Sequence, residues 1–485
     1  MSALRALAAA APVPVFVAIG ADAGDHIDDL GLQPSLQRVA SPRHASVLLV
    51  AGEVREHDVA ALRRLHDQLP HPRATLCWAC DAPANFGAPR TLPPNRDPVP
   101  ALRELYRQLL AGEHPSEPDL LPDEPPAPWR GVGEYGQGGK GMMGGAPYGR
   151  PMPMTDDDLR DGLALDAYTL RLGPFMPTLP AGLVLSLTVQ GDVIQHAHME
   201  SPPLWPAPPS SSHAPYDGAV RQVEPFDGSS LLKETGAAAF AGSRPRDPGL
   251  VGSLAAKSRE HDDRDAPDNA RTLAHREYRR AAQHLRCIAR LLAVLELASL
   301  AERCRRMACA VEHGEPCSID ALRRALVRSG AFAAIPPGLG TLDPLMATVL
   351  GGTARRAADV GVGERRHDQA GREPDRNALM QRDGDVRARL HQWLDEAEQS
   401  MRLAHRAGDV ALSTASRADE LDAEHDPLPA DKAVAIRGVF TTLLRGLEWH
   451  EAMLVINSFE VAALRRMYCP PGDAPHAATH SGHAT

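Results

Sequence analysis

The chain has 485 residues, with 62 acidic against 52 basic side chains and a net charge of −10; that balance argues against a phosphate-backbone partner. The length exceeds one ordinary core and suggests two or three domains, at roughly 100–200 residues each. Its 44 prolines and 40 glycines are clustered, which assigns much of the chain to linkers, and no stretch approaches the ~18 apolar residues that a membrane span needs.

Residues 1–23 are alanine-rich and carry an Ala-Asp-Ala triplet, as an export leader would, but Pro12 and Pro14 interrupt the apolar part. Val15–Gly20 therefore reads as a first strand ending in a turn. Ser46–Gly52 and Ala74–Ala79 are two more apolar strand candidates. Between them Asp58 is placed to cap a helix bearing Val59, Leu62, Leu65 and Leu69, stopped by Pro70 and Pro72. A strand, a helix and a strand at this spacing predict a parallel unit. Pro100–Leu110 adds a helix with Leu102, Leu105, Tyr106 and Leu109 on one side, so residues 13–112 form an α/β domain.

Pro115–Pro128 is proline-rich and acidic and opens a linker, residues 113–165. Within it Gly131–Gly145 holds Lys140 in a glycine loop. Gly141 follows that lysine where a phosphate cradle needs Ser or Thr, so a packed crossing loop is expected instead. The cleanest period-2 run follows, in residues 166–200. Leu183, Leu185, Leu187 and Val189 alternate with Val184, Ser186, Thr188 and Gln190, Gly191-Asp192 suits a tight turn, and Val193–Gln195 begins the return strand. Upstream, Tyr168, Leu170 and Leu172 alternate with Thr169 and Arg171, predicting a small antiparallel sheet.

Residues 201–272 are a low-complexity insertion, and residues 273–468 are helical. Tyr278, Ala281, Leu285, Ile288, Leu292 and Leu295 define a helix expected to run on through Val311 to Gly314. Ser318 caps Ile319–Arg328, and a Gly- and Arg-rich loop is expected over Gly351–Asp375. A further helix carries Val386, Leu390, Trp393, Leu394, Ala397 and Met401, and Pro429–Tyr468 forms a last block divided at Gly446. These helices are long enough for a bundle core. Residues 469–485 are a His-rich tail of the kind that is usually disordered.

Seven cysteines, an odd number at irregular spacing, fit a reducing compartment without a disulfide framework. Cys77-x-x-Cys80 has the form of a redox dithiol or half a zinc site, but without a second half it reads as a strand end with buried thiols. Cys304 and Cys309 are off same-face spacing. His450-Glu451 starts a zinc-protease helix pattern, yet Leu454 stands at the second histidine. Trp393 and Trp449 read as core or helix-contact anchors.

Two stretches carry a resemblance. Ala40–Gly52 followed by Leu62–Arg73 resembles the cluster-bearing small subunit of respiratory complex I and of energy-converting nickel–iron hydrogenases. Gly173-Pro174-Phe175-Met176-Pro177 leading to Gly182–Leu185 and Gly191–Val193 resembles the N-terminal β-hairpin of their large subunit. The resemblance implies a fusion of both partners: an α+β multidomain chain with a flavodoxin-like parallel-sheet domain, then a small antiparallel sheet and a helical bundle of the hydrogenase large-subunit type.

The ligand positions of those families are changed. Gly20–Gly24 holds no thiol where the first cysteines belong, and Cys80 stands at the third ligand position. One or two thiolates do not hold a cubane cluster. Met176 replaces the quinone-facing histidine of a Gly-Pro-x-His-Pro loop, and methionine donates no hydrogen bond. No Cys-x-x-Cys pair for nickel and iron lies in the second half. The resemblance thus implies a chain without iron–sulfur cluster, nickel–iron site or other cofactor, with no metal-ligand set and no catalytic residue, peripherally associated with a membrane on the cytoplasmic side. Its partners would be antiporter-like integral-membrane subunits and other complex I-like subunits, with no nucleic acid. The alternative is a quinone-type oxidoreductase subunit whose remnant pocket between the two halves is lined by Phe175, Met176 and Cys80.

Overall fold

The computed structural model describes residues 11–21, 23, 27, 30–87, 89–122, 167–204, 272–358, 384–408 and 438–468. The chain divides into one unit of residues 1–208 with 271–485 and a second of residues 209–270. The second unit lies outside the described residues, as do the glycine loop at 131–145, residues 359–375 of the Gly- and Arg-rich stretch, and the His-rich tail.

The first sheet contains β1 (Val13–Ile19), β2 (Leu36–Arg38), β3 (Val47–Ala51), β4 (Ala74–Trp78) and β5 (Arg90–Leu92), all parallel, in the order β2-β1-β3-β4-β5. Strands β3 and β4 are buried at every position, which explains their unbroken apolar runs: a parallel strand covered on both faces has no solvent side to alternate with. Val15, Val17, Leu49 and Leu76 face one core with Leu102, Leu105 and Leu109 of α2 (Pro98–Ala111). Phe16, Ala18, Leu48, Val50 and Cys77 face the other with Leu62 and Leu65 of α1 (Val59–His66). Strand order and two-sided packing are those of a doubly wound, flavodoxin-like sheet.

Two expectations for this region need correction. Asp58 precedes α1 but makes no capping bond; its carboxylate accepts from Arg55 Nε at 2.6 Å, because a turn of 3-10 helix over Glu56–Asp58 already holds it in helical backbone geometry. Residues 115–122 are not a free linker. Glu117 N donates to Arg73 O at 3.0 Å and Leu120 packs on the second core, since acidic side chains here have buried basic partners that composition does not reveal.

The second sheet is antiparallel, β6 (Ala167–Leu172), β7 (Val184–Gln190) and β8 (Val193–Ser201) in that order. Gln190 pairs with Val193 across Gly191-Asp192, with Gly191 at φ +63°, as a two-residue hairpin turn requires. Leu183, Leu185, Leu187 and Val189 are buried as their alternation predicts, but Val184 and Gln190 are buried as well. On edge strand β6, Tyr168 and Leu170 remain exposed.

The buried face of this sheet shares one core with the helices. These are α3 (Leu273–Val294), α4 (Ala298–Glu312), α5 (Ile319–Ser329), α6 (Ala331–Ala334), α7 (Pro344–Leu350), α8 (Gly352–Ala357), α9 (Val386–Ala407), α10 (Val439–Leu444), α11 (Trp449–Asn457) and α12 (Val461–Met467). The continuous helix expected from Tyr278 to Gly314 is two helices: Glu296 adopts φ +59°, and α4 folds back so that Arg286 and Glu312 form a bidentate ion pair at 2.6 Å. Periodicity alone could not see a break that keeps both apolar stripes in register with one core. The loop expected from Gly351 contains α8, whose Thr353, Ala354 and Ala357 are buried. Ser318 caps α5 as expected, its hydroxyl accepting from Ala321 N. Gly446, at φ +81°, breaks the last block where that segment pairs with β8: Gly446 N donates to Ile194 O at 2.8 Å and Ile194 N to Leu447 O at 2.9 Å.

Candidate functional site

Phe175 and Cys80 pack on the same core of the α/β region, whereas Met176 packs on the core of the second sheet and the helices. Gly173 turns the chain at φ +90°, with no room for a Cβ, which would lie 1.9 Å from Leu183 O. The loop then sends Phe175 into the α/β core beside Phe16, Leu48, Val50 and Phe86. Met176 and Leu179 pack instead on the core of the sheet and helices. Arg55, just beyond β3, donates to Gly182 O at 2.5 Å and Pro202 O at 3.2 Å, and Asn457 Nδ2 donates to Thr178 O at 2.9 Å. One proline-braced loop is thus held by one core of the parallel sheet and by the core of the second sheet and the helices.

Cys80 lies at the end of β4, its thiol 3.7 Å from Val50 O. The hydrogen bond with Cys77 lowers the Cys80 thiol from its ordinary value despite burial. The same bond, with burial, raises that of Cys77. The polarity of the pair is clear: Cys80 is the more acidic sulfur and the less buried one.

At the carboxyl ends of β1 and β3, where doubly wound sheets present their binding crevice, the backbones are laced together. Ala21 N donates to Glu53 O at 2.6 Å and Glu53 N to Ala21 O at 2.8 Å. A Cβ on Gly20 would lie 2.5 Å from Glu53 O, and one on Gly52 2.0 Å from Ala21 O. Glycine is needed at both positions because backbone occupies the space.

Two buried ionic groups were not foreseen. The first joins α1, β4 and residues 116–121. His66 Nδ1 is 2.8 Å from Asp67 Oδ1 and Nε2 is 3.0 Å from Glu117 Oε2. Glu117 also accepts from Thr75 N at 2.8 Å and Thr75 Oγ1 at 2.7 Å. Asp67 accepts from Leu120 N and Leu121 N. Arg73, only 1% exposed, donates to His66 O, Leu69 O, Glu117 O and Asp119. Burial by itself would raise both carboxyls, but these hydrogen bonds and His66 outweigh it and hold Asp67 and Glu117 below their ordinary values.

The second lies among the helices. His284 of α3 is 5% exposed, with Nε2 3.3 Å from Glu396 Oε2 of α9 and Nδ1 3.7 Å from Glu460 Oε1, the residue before α12. Nδ1 makes no hydrogen bond. Thr353 Oγ1 of α8 is 3.0 Å from Glu396 Oε2 and 2.5 Å from Glu460 Oε1. Arg356 holds Glu396 through Nε on Oε1 and through Nη2 on Oε2, the latter at 2.8 Å, and Gln392 adds a bond at 2.8 Å. Burial raises the Glu396 carboxyl, but Arg356 and the other partners bring it below its ordinary value; burial drives the His284 imidazole down.

The turn that carries Glu460 is clamped. Arg290 Nη2 donates to Phe459 O at 2.6 Å, and buried Arg389 stacks 4.3 Å above the Phe459 ring while its Nε donates to Ser458 Oγ at 3.0 Å. Burial lowers the Arg389 guanidinium to about 9. The positive-φ pair Gly351-Gly352 leaves room for the carboxylate: a Cβ on Gly352 would lie 2.9 Å from Glu460 Oε2. No local pattern announces the cluster, because His284, Thr353, Glu396 and Glu460 are at least 43 residues apart in every pair and match no ligand spacing. The one available signal was polarity on otherwise apolar helix faces, at His284 within Ala281–Ile288 and Glu396 within Trp393–Ala397.

Comparison of the chain with family models, with curated proteins and with solved structures finds no match.

Proposed function

We propose that the chain is a cofactor-depleted subunit of a membrane-associated assembly related to complex I and energy-converting hydrogenases, acting as a docking or coupling scaffold for an antiporter-like membrane partner. The observation that carries the reading is the use made of the loop at 173–182. In the families it resembles, this loop presents the group that meets quinone or metal; here Phe175 and Met176 are side chains of two cores, and Arg55 ties the loop to the segment after β3. A loop whose side chains are buried in this way serves packing rather than a reacting group, which is what a docking subunit needs.

The test is purification of the tagged full chain from membranes in mild detergent. Antiporter-like integral-membrane subunits are expected to co-purify, and Phe175→Ala is expected to reduce their recovery. Recovery of the chain without membrane subunits, or iron and sulfide at cluster stoichiometry with a reducible paramagnetic signal, overturns the proposal.

A further inference from the structure

The cluster around His284 has an unmet requirement that can be counted in protons. Thr353 Oγ1 carries one hydrogen and lies within bonding distance of an oxygen from each of two carboxylates; it can donate to only one of them. The shorter contact assigns that hydrogen to Glu460 Oε1. Glu396 Oε2 then faces a hydroxyl lone pair at 3.0 Å. Arg356 supplies one positive charge, and it is spent on Glu396 in a bidentate pair. The carboxylate of Glu460 is left opposite the ring nitrogen of His284 that has no partner. A neutral imidazole carries one hydrogen, so whichever ring nitrogen lacks it turns a lone pair toward a buried carboxylate, which is costly unless something positive lies between them.

The geometry points to a divalent cation held by His284, Glu396 and Glu460, with Thr353 Oγ1 as a neighbouring oxygen donor. One nitrogen or oxygen from each of the three residues lies within 4.8 Å of the others. A metal bonds one nitrogen of an imidazole, and ligands about 2.0–2.2 Å from a tetrahedral centre stand about 3.3–3.6 Å apart; Nδ1, the nitrogen without a hydrogen-bond partner, stands 3.7 Å from Glu460 Oε1, close to that spacing. One imidazole with two carboxylates selects a borderline transition ion, Zn2+, Mn2+ or Fe2+, over Ca2+ or Mg2+. Arg356 and Gln392 on Glu396, and the Gly351-Gly352 backbone beneath Glu460, orient the ligands from outside, as supporting groups around a metal do. The side chains of Glu460 and Arg356 are 19% and 38% exposed, so an ion can enter from their side.

The ligands come from α3, α9 and the turn before α12, with α8 supplying Thr353. The ion would therefore clamp four segments of the helical region, a role independent of the scaffold reading above.

The full chain, freed of metal with a chelator, is titrated with ZnCl2 and with MnCl2 and followed by calorimetry and thermal melting. To remove tail binding, the same chain with His476, His480 and His483 changed to alanine is used throughout. One equivalent of ion and a raised melting temperature are expected. Glu460→Gln and His284→Gln, near in shape to the originals, should each weaken binding at least about tenfold, while Cys80→Ser should not. Should either variant fail to fold, pulsed paramagnetic resonance of the Mn2+-loaded parent is decisive: coupling to one imidazole nitrogen is expected. No uptake by the tail-substituted chain, binding unchanged in both folded variants, or Mn2+ without nitrogen coupling overturns the proposal and leaves a proton as the shared charge.

Discussion

Two buried histidines, each between two carboxylates and near an arginine, have opposite degrees of completion. Around His66 the ring nitrogens meet oxygens at 2.8 and 3.0 Å, and Glu117 and Asp67 draw further donors from Thr75, Leu120 and Leu121. Around His284 the corresponding distances are 3.3 and 3.7 Å, and one nitrogen has no partner. The same residue types therefore serve as a lock in one region and leave a place for a ligand in the other. The physical difference is donor supply. Leu120 N and Leu121 N donate to the first group, whereas Thr353, Arg356 and Gln392 serve the second with side-chain donors.

That comparison can be broken by removing one member at a time. Arg73→Ala should have the largest effect, a loss of about 3–5 kcal/mol in urea unfolding, because a buried cation leaves and several acceptors lose their donor together. Glu117→Gln should cost about 1.5–3 kcal/mol, the worth of hydrogen bonds to a charged group, and should expose residues 113–122 to proteolysis.

Acid should sharpen the contrast further. The folded-state values of Asp67 and Glu117 lie below the ordinary 3.8 and 4.5. The unfolded chain therefore binds more protons on acidification, and the contribution of the two carboxylates is complete above about pH 5 and lost as pH falls through the folded values. Unfolding midpoints measured from pH 7 to pH 3 should fall less steeply in Glu117→Gln than in the parent. The smallest effect is expected in the other region: Glu460→Gln in the metal-free chain should change stability by less than about 1 kcal/mol, since losing an uncompensated carboxylate offsets the loss of its bond from Thr353. A loss comparable to that of Glu117→Gln would show that the His284 group is as complete as the other.

Much of the fold was legible because it rests on local pattern. The apolar runs of β1, β3 and β4, the alternation of Leu183–Val189 and the turn at Gly191 each state their geometry in a few residues. Short edge strands β2 and β5 gave no such signal, their positions being half-buried or exposed, and residues 115–122 looked like linker because only composition could be read. The groups around His66 and His284 were hidden for another reason. Each is assembled from residues on separate elements, and sequence distance carries no information about which buried polar side chains meet.

The loop at 173–182 shows where sequence and tertiary structure divide their work. By itself the sequence determined that Gly173, Pro174, Pro177, Pro180 and Gly182 make a braced turn leading into a strand, because glycine and proline fix backbone angles locally. Only the tertiary structure decided that Phe175 enters one core and Met176 the other, and that Glu396 and Glu460 converge on one hydroxyl. Those outcomes depend on which surfaces remain to be buried after the elements form, and that is a property of the whole packed unit rather than of any segment.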